Sequence, residues 1–220
     1  MPTVLAPDIS YCIAGGRVIF MSVRTGRFFA LPRRPEVAFA AFAAGETLAL
    51  DEDVRTFLIA KGVLIEAPSA ISIAAPVEVE KIEVIREPIS PSPPSLALRA
   101  AAMAEQIKID VLLRTRPFQK IVSRFVKRKE GASSQDHDGG AYARIEAAIH
   151  AADLILPPGN RCLVRSLAFM SLCLTRGFSP NLVIGVRSNP FRAHAWVQAG
   201  PHAIHDDLQQ SQLFTPIFAI

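Results

Sequence analysis

The sequence predicts an α+β protein in two parts, and three observations lead to this prediction. In residues 1–66 the apolar residues follow the period of short strands and then that of short helices. In residues 96–220 they follow the period of helices and then that of a small antiparallel sheet. Between these parts, residues 67–95 hold six of the 17 prolines, which is typical of an extended linker. A chain of 220 residues also has room for two small domains. We therefore expect domains over 1–66 and 96–220, joined by a linker over 67–95.

The N-terminal domain is predicted to be a small winged-helix-like module. Gly15 and Gly16 separate two alternating apolar segments and favour a β-hairpin, and RFFAL follows as a third strand. Pro35 marks the first turn of one helix, and Asp51 opens a second helix that ends at Gly62 before the strand VLIE. A core of this size is marginal unless another part of the chain packs on it.

The C-terminal domain contains four segments with helical periodicity and three with strand periodicity. The helical segments are 96–116, 117–129, 141–156 and 161–177, and the strands are 181–186, 192–198 and 202–207. The last residues, LFTPIFAI, are apolar, so this tail either covers an edge of the sheet or meets a partner.

Composition restricts the compartment and the class of protein. No segment has the ~18 consecutive apolar residues of a membrane span, and the N-terminus lacks the layout of a secretory signal. Three scattered cysteines, Cys12, Cys162 and Cys173, do not form a disulfide framework, so we expect a cytoplasmic protein with free thiols. We interpret Cys12 and Cys173 as core thiols.

Positive charge is concentrated in one segment. Residues 108–129 contain eight basic residues and one acidic residue, which indicates either a solvated helix face or a docking site for an anionic partner. Nucleic-acid binding by the winged-helix-like module is an alternative function. It is disfavoured because Asp51, Glu52 and Asp53 would bring negative charge to the reading helix.

Cys162 has the position of a nucleophile. Asn160 is a favoured N-cap, which places Cys162 in the first turn of the next helix, where backbone N–H groups and the helix dipole stabilise a thiolate or an oxyanion. Apolar residues at helical spacing from Cys162 predict that it begins a buried stripe facing the sheet.

A histidine and an aspartate complete a possible triad. Alternation along RAHAWVQ places His194, Trp196 and Gln198 on one face of a strand. A three-residue turn after this strand would bring Asp206 opposite His194, and a two-residue turn would bring Asp207 there instead. Either carboxylate would orient the imidazole, as in a Cys-His-Asp triad. The simpler interpretation of His194 is a hydrogen-bonded core histidine.

A metal site is a further alternative. Its ligands would come from Cys162, His194, His202, His205 and Asp206. None of these residues has the CxxC or HExxH spacing that favours zinc, so we expect no metal and no other cofactor.

Residues 162–207 resemble a known family. CLVRSLAFMSLCLTRGFSPNLVIGV followed by FRAHAWVQAGPHAIHDD is similar to the lasso-peptide leader peptidase, a papain-like or transglutaminase-like cysteine protease called the lasso B protein. The resemblance implies that Cys162 is the nucleophile, His194 the base and Asp206 the orienting acid, with Asp207 as a substitute. Backbone N–H groups at the helix start, aided by Asn160, would form the oxyanion hole.

Residues 1–66 resemble, more loosely, the leader-recognition domain of peptide-maturation pathways, which has the fold of the pyrroloquinoline-quinone peptide chaperone (PqqD-like). The similarity rests on strand order and on RFFAL followed by helices. It implies that a leader peptide adds as a strand beside the third strand and packs on the last helix. The residues implied in leader binding are Arg27, Phe28, Phe29, Ala30, Val54, Phe57 and Leu58. Each of them is equally well explained as core of a tiny domain.

Together, the two resemblances imply a protease that removes the leader of a ribosomally synthesised lasso precursor. Its partners would be the precursor peptide and a separate ATP-dependent, asparagine-synthetase-like cyclase. Transglutaminase-type acyl transfer to an amine uses the same three groups and stays open as an alternative, as does a non-enzymatic peptide-binding role.

Overall fold

The computed structural model describes residues 3–46, 50–67, 76–80, 93–132, 139–157, 161–200, 202–205 and 211–220. It has the mixed helical and antiparallel-sheet architecture expected of an α+β protein. Within these residues, no helix is long and apolar enough to cross a membrane.

The N-terminal strands form two small antiparallel sheets. The strands are β1 (Thr3–Leu5), β2 (Ile9–Ala14), β3 (Arg17–Ser22), β4 (Arg27–Ala30) and β5 (Leu64–Glu66). Strands β2, β3 and β4 form a meander in that order, while β1 pairs with β5. The predicted hairpin is confirmed: Gly15 and Gly16 connect β2 to β3 with φ angles of 55° and 73°, a conformation that glycine adopts without strain.

Two helices cover one face of the meander. They are α1 (Arg33–Ala43) and α2 (Glu52–Ala60). Asp51 caps α2 as predicted, because its carboxylate accepts a 2.8 Å hydrogen bond from the Val54 N–H. Glu36 ties α1 to β3. Its buried carboxylate accepts hydrogen bonds from Arg17 Nε at 2.8 Å and from the Val18 N–H at 2.9 Å.

Four helices follow along the chain. They are α3 (Leu96–Thr115), α4 (Phe118–Glu130), α5 (Gly139–Asp153) and α6 (Cys162–Leu174). Helix α6 is buried on all sides from Ser166 to Leu174, not only along one stripe as predicted. The physical reason is that α3, α4 and α5 pack around it while β7 (Phe191–Ala199) covers another side.

The C-terminal sheet is antiparallel, with strand order β8-β7-β6-β9. Its other strands are β6 (Asn181–Ser188), β8 (His202–His205) and β9 (Thr215–Ala219). Strand β9 comes from the apolar tail and pairs with β6. Of the two roles left open for this tail, the structure therefore supports covering an edge of the sheet.

The two parts of the chain share a core. Alternate side chains of β2 and β3 point in opposite directions: Tyr11 and Phe20 contact α1, whereas Cys12 and Ile19 belong to the main core with α6 and the C-terminal sheet. The Ser10 hydroxyl also donates a hydrogen bond to the Ile217 carbonyl in β9. The meander is thus packed on both faces, against α1 on one and against the main core on the other.

Candidate active site

Cys162 is the first residue of α6, as predicted. The N-cap is Arg161, whose side chain makes no capping hydrogen bond, so the expectation of an Asn160 cap is wrong. Asn160 itself lies outside the described residues. The backbone N–H groups at the start of the helix have no intrahelical partners. One of them, the Leu163 N–H, donates a hydrogen bond to the Cys162 sulfur.

The Cys162 thiol and the His194 imidazole are joined by a hydrogen bond. Burial raises the pKa of the Cys162 thiol. However, the hydrogen bond to His194, the N–H of Ala195, the charge of His194 and the N–H of Leu163 together outweigh burial, so the pKa lies below its ordinary value. The sulfur is therefore poised to ionise more readily than an ordinary thiol.

Ala195 holds α6 against β7 through both of its backbone polar groups. Its N–H donates to the Cys162 sulfur, and its carbonyl accepts a 3.0 Å hydrogen bond from the buried Ser166 hydroxyl. Cys162 and Ser166 are one helical turn apart, so both reach the backbone of the same strand residue. This contact fixes the sulfur beside the residue that follows His194.

The His194 ring is held by aromatic side chains on one face of the sheet. The imidazole and the Trp196 indole lie 6.2 Å apart at 22°, and the Phe214 ring is 5.2 Å from the imidazole. Trp196 Nε1 donates to Gln198 Oε1 at 3.0 Å, which confirms that His194, Trp196 and Gln198 share a face. The indole N–H is satisfied, so the ring stays in place beside the imidazole.

Gly185 makes this packing possible and was not singled out in the sequence. It lies opposite His194 in the β6–β7 pair, and a Cβ atom added there would be 2.8 Å from the Trp196 ring and 2.9 Å from Phe214 Cβ. The signal was present as a glycine inside the apolar strand LVIGV, since such a glycine often marks a close approach by another group.

The turn between β7 and β8 is the two-residue alternative, but the register beyond it differs from both that the sequence suggested. Ala199 pairs with His202 across a two-residue connection, so the three-residue turn is wrong. A bulge then shifts the register, and Val197 pairs with His205. Asp206 and Asp207 lie outside the described residues.

The residues expected to bind a leader divide into two groups. Arg27, Phe28, Phe29 and Ala30 form β4, which is an edge of the meander within the described part of the chain. Three of them, Phe28 to Ala30, line a groove of about 250 Å³ together with Arg17, Ile19, Ser188 and Phe191.

The expected leader-binding residues of α2 have a different environment. Val54 and Leu58 are buried in the core that α1 and α2 form with the meander, with exposed fractions of 5% and 0%. Phe57 is partly buried against the same core. Val54 and Leu58 therefore hold α2 on the core, and of the three residues only Phe57 retains exposed surface.

The other two cysteines are core thiols, as predicted. Cys12 and Cys173 are buried, and burial raises the pKa of Cys12 to about 12 and that of Cys173 further still. Over the described ranges, no three histidine, cysteine or acidic side chains come together as a metal site. The side chains of His202 and His205 are not among those described.

Comparisons with known proteins relate the chain to one family. The family model described as the transglutaminase-like superfamily matches residues 103–219, which include Cys162 and His194. The chain is also 42% identical over 45 residues to the microcin J25-processing protein McjB of Escherichia coli, a match that spans 20% of this chain and 22% of that protein. No solved structure matches the chain significantly. Since the family model covers more than half of its residues, the chain belongs to the transglutaminase-like superfamily.

Proposed function

We propose that this protein is a cysteine peptidase that removes the leader from a ribosomally synthesised lasso-peptide precursor. The observation that carries the proposal is the hydrogen bond between Cys162 and His194, together with the lowered pKa of the thiol. The short match to a microcin-processing protein supports a peptide precursor as the substrate. The leader-recognition role of the N-terminal domain rests on its resemblance to that class of domain.

In the proposed reaction, His194 takes the proton of Cys162 and the thiolate attacks the last carbonyl carbon of the leader. Backbone N–H groups at the start of α6, with Asn160, stabilise the oxyanion of the tetrahedral intermediate. The C–N bond then breaks, and His194 returns its proton to the departing amine of the core peptide. Water cleaves the resulting thioester, which releases the leader as a carboxylic acid and regenerates the thiol.

Asp206 is proposed to accept the second ring N–H of His194, with Asp207 as the alternative. Such a carboxylate fixes the tautomer of the imidazole and stabilises the imidazolium that forms during attack. Replacing each in turn with Asn separates the two assignments. The variant that lowers kcat by about 10²-fold or more, with an unchanged KM, identifies the orienting acid.

The leader is proposed to pair with β4 through Arg27, Phe28, Phe29 and Ala30, and to reach Phe57 of α2, which Val54 and Leu58 hold in place from the core side. The groove beside β4 supports this proposal because it combines a strand edge with aromatic side chains. A leader held on the same molecule raises the effective concentration of the scissile bond to the ~mM range for a short flexible connection. The freed core amine would then pass to the separate ATP-dependent, asparagine-synthetase-like cyclase.

The decisive experiment first identifies a short open reading frame beside this gene that encodes a lasso-type precursor, and then uses that peptide as the substrate. The wild-type protein is expected to release free leader acid, whereas Cys162→Ala abolishes cleavage and retains leader binding. Cys173→Ser serves as the control, because it changes a thiol that lies in the core and not in the site. Retained cleavage by Cys162→Ala would refute the assignment.

The same reaction separates hydrolysis from acyl transfer. With glycinamide present at high concentration, a hydrolase still yields the leader as a free acid. A transglutaminase-type enzyme instead transfers the leader to the amine of glycinamide, so that the product is the leader with glycinamide attached at its C-terminus. The mass of the leader product decides between them.

A further inference from the structure

A row of cations follows one side of α4 and faces α3. Lys120, Arg124 and Arg128 recur at four-residue spacing, so they lie above one another along about 12 Å of α4, and Arg116, the C-cap of α3, lines the same groove. Lys108 of α3 lies across from them. The five side chains line a groove of about 290 Å³, which we call the basic groove.

The floor of the basic groove is apolar. Ile109 and Leu112 of α3 and Ile121 and Phe125 of α4 line it between the cations. Leu112 is only partly buried, so it contributes apolar surface that a bound molecule can cover. A groove with an apolar floor and a cationic rim suits an amphipathic ligand that carries negative charge.

Two of the cations are used within the fold. Lys108 pairs with Glu105 at 2.8 Å, and Arg128 donates to the Ser171 hydroxyl at 2.9 Å and the Thr175 hydroxyl at 3.1 Å. The Arg128 contacts connect α4 to the C-terminal part of α6, whereas the Lys108–Glu105 pair lies within α3. The free positive charge of the basic groove therefore comes mainly from its other three cations.

The remaining cations have no such role. Arg116, Lys120 and Arg124 are exposed, and no carboxylate in the described part of the chain pairs with them. Like charges four residues apart repel one another and weaken a helix. No ion pair in the described part of the chain therefore compensates for this repulsion, whereas an external anion would relieve it.

The basic groove is also separate from the catalytic groups. It reaches α6 at Ser171, which is nine residues beyond Cys162 and hence about 13 Å further along the helix. A ligand in the groove can thus be bound while the sulfur stays accessible.

We propose that the basic groove docks an acidic, amphipathic helix of a partner protein. Glutamates at four-residue spacing on such a helix would lie opposite Lys120 and Arg124, and its apolar residues would cover Leu112. The apolar floor favours a polypeptide over a nucleic acid, since the ring of Phe125 is buried and offers no platform for stacking bases. This proposal is independent of the peptidase reaction.

The test measures binding of a defined probe by fluorescence anisotropy. The probe is an acetylated 15-residue peptide with Glu at every fourth position on one face and Leu beside it. Binding is expected to weaken by about tenfold in the double variant Lys120→Glu/Arg124→Glu and to weaken with added salt. The matched control is Lys127→Glu, an exposed charge reversal on the same helix outside the groove, which should change the Kd less than about twofold.

Three comparisons can overturn the proposal. If a peptide with Gln in place of Glu binds equally well, charge complementarity does not explain the binding. If Lys127→Glu weakens binding as much as the double variant does, the peptide does not bind in the basic groove. Tighter binding of a single-stranded oligonucleotide of equal charge would assign the surface to nucleic acid. Because both altered side chains are exposed, folding is expected to persist, and Lys120→Gln/Arg124→Gln provides a milder variant if it does not.

Discussion

The indole ring of Trp196 lies directly against Gly185, so that position 185 has no room for a side chain. An added Cβ atom would be 2.8 Å from ring carbons Cη2 and Cζ3, closer than non-bonded carbons approach. Gly185 is also the partner of His194 across the β6–β7 pair. One glycine therefore sets the position of the ring that is stacked beside the imidazole.

Gly185→Ala is expected to lower both stability and catalysis. The new methyl group must displace Trp196 or Phe214, and overpacking of this kind costs about 1–3 kcal/mol. Because both rings contact His194, their displacement should also lower kcat, measured with the precursor peptide. Thermal unfolding followed by circular dichroism measures the change in stability.

Gly131→Ala is the matched control for this substitution. Gly131 follows α4 with a φ of −91°, and the nearest atom to an added Cβ is the Arg128 carbonyl oxygen at 3.8 Å. This variant should keep the wild-type melting temperature and rate. An unchanged Gly185→Ala protein would contradict the role given to the close approach.

Local features of the site could be predicted from sequence because they depend on neighbouring residues. Gly15 and Gly16 favour a hairpin, Asp51 is an N-cap, and alternation alone places His194 and Trp196 on one face. Cys162 was expected at a helix start on similar grounds, although the cap is Arg161. In each case a few residues determine the local geometry.

Features that depend on distant segments could not be predicted in this way. The pairing of β9 with β6 joins residues about 30 positions apart, and the bulge after Ala203 changes the register of β8. The burial of Val54 and Leu58 follows from α1 and the meander packing on α2, so a pattern of apolar residues alone does not separate core from binding surface.

The pH dependence of thiol alkylation should distinguish Cys162 from the other cysteines. Because the pKa of Cys162 lies below its ordinary value, a larger fraction is thiolate at neutral pH, and iodoacetamide should label it first. His194→Ala removes a hydrogen bond and a charge that lower this pKa, so burial is then opposed only by the N–H groups of Ala195 and Leu163. The alkylation profile should therefore move to higher pH, with a rate about tenfold lower at pH 7.

Mass spectrometry of the labelled peptides measures these rates. His150→Ala is the control, since it removes an exposed imidazole from α5. A profile unchanged by His194→Ala would show that the imidazole does not stabilise the thiolate. Equally fast labelling of Cys12 would contradict its burial.

Aromatic residues at the groove beside β4 should determine leader affinity. The Phe28 and Phe191 rings lie 5.8 Å apart, so the groove is formed jointly by β4 and the start of β7. In a Cys162→Ala background, where the peptide stays intact, Phe28→Ala and Phe191→Ala should each raise the Kd of a fluorescent leader about tenfold or more. Anisotropy titration measures the affinity.

Ile13→Ala is the control for the groove variants, because Ile13 is an exposed apolar residue on β2 outside the groove. It should leave the Kd unchanged. If Phe28→Ala and Phe191→Ala also leave it unchanged, the leader does not bind beside β4, whatever the fate of the catalytic assignment.

The buried carboxylate of Glu36 should make the stability of the protein dependent on acid. Burial raises the pKa of Glu36, but its hydrogen bonds from Arg17 and the Val18 N–H and the nearby charges outweigh burial, so the pKa lies below its ordinary value. Its contribution to folding is thus complete above the ordinary pKa and is lost as the pH falls through the lowered one. Glu36→Gln removes the charge, and a hydrogen bond to a charged group contributes about 1.5–3 kcal/mol.

We therefore expect urea unfolding to give Glu36→Gln a deficit of this size near pH 7, and the deficit should shrink on acidification as the wild-type carboxylate gains its proton. The sign is fixed by the direction of the pKa shift, since a raised pKa would make the deficit grow instead. Glu52→Gln is the control, because its ion pair with Arg55 lies at the surface and such pairs contribute about 0–1 kcal/mol. A deficit that is independent of pH would show that Glu36 stabilises the contact between α1 and β3 through packing alone and not through its charge. Because β3 also packs against the core that contains α6, this contact matters beyond the N-terminal strands.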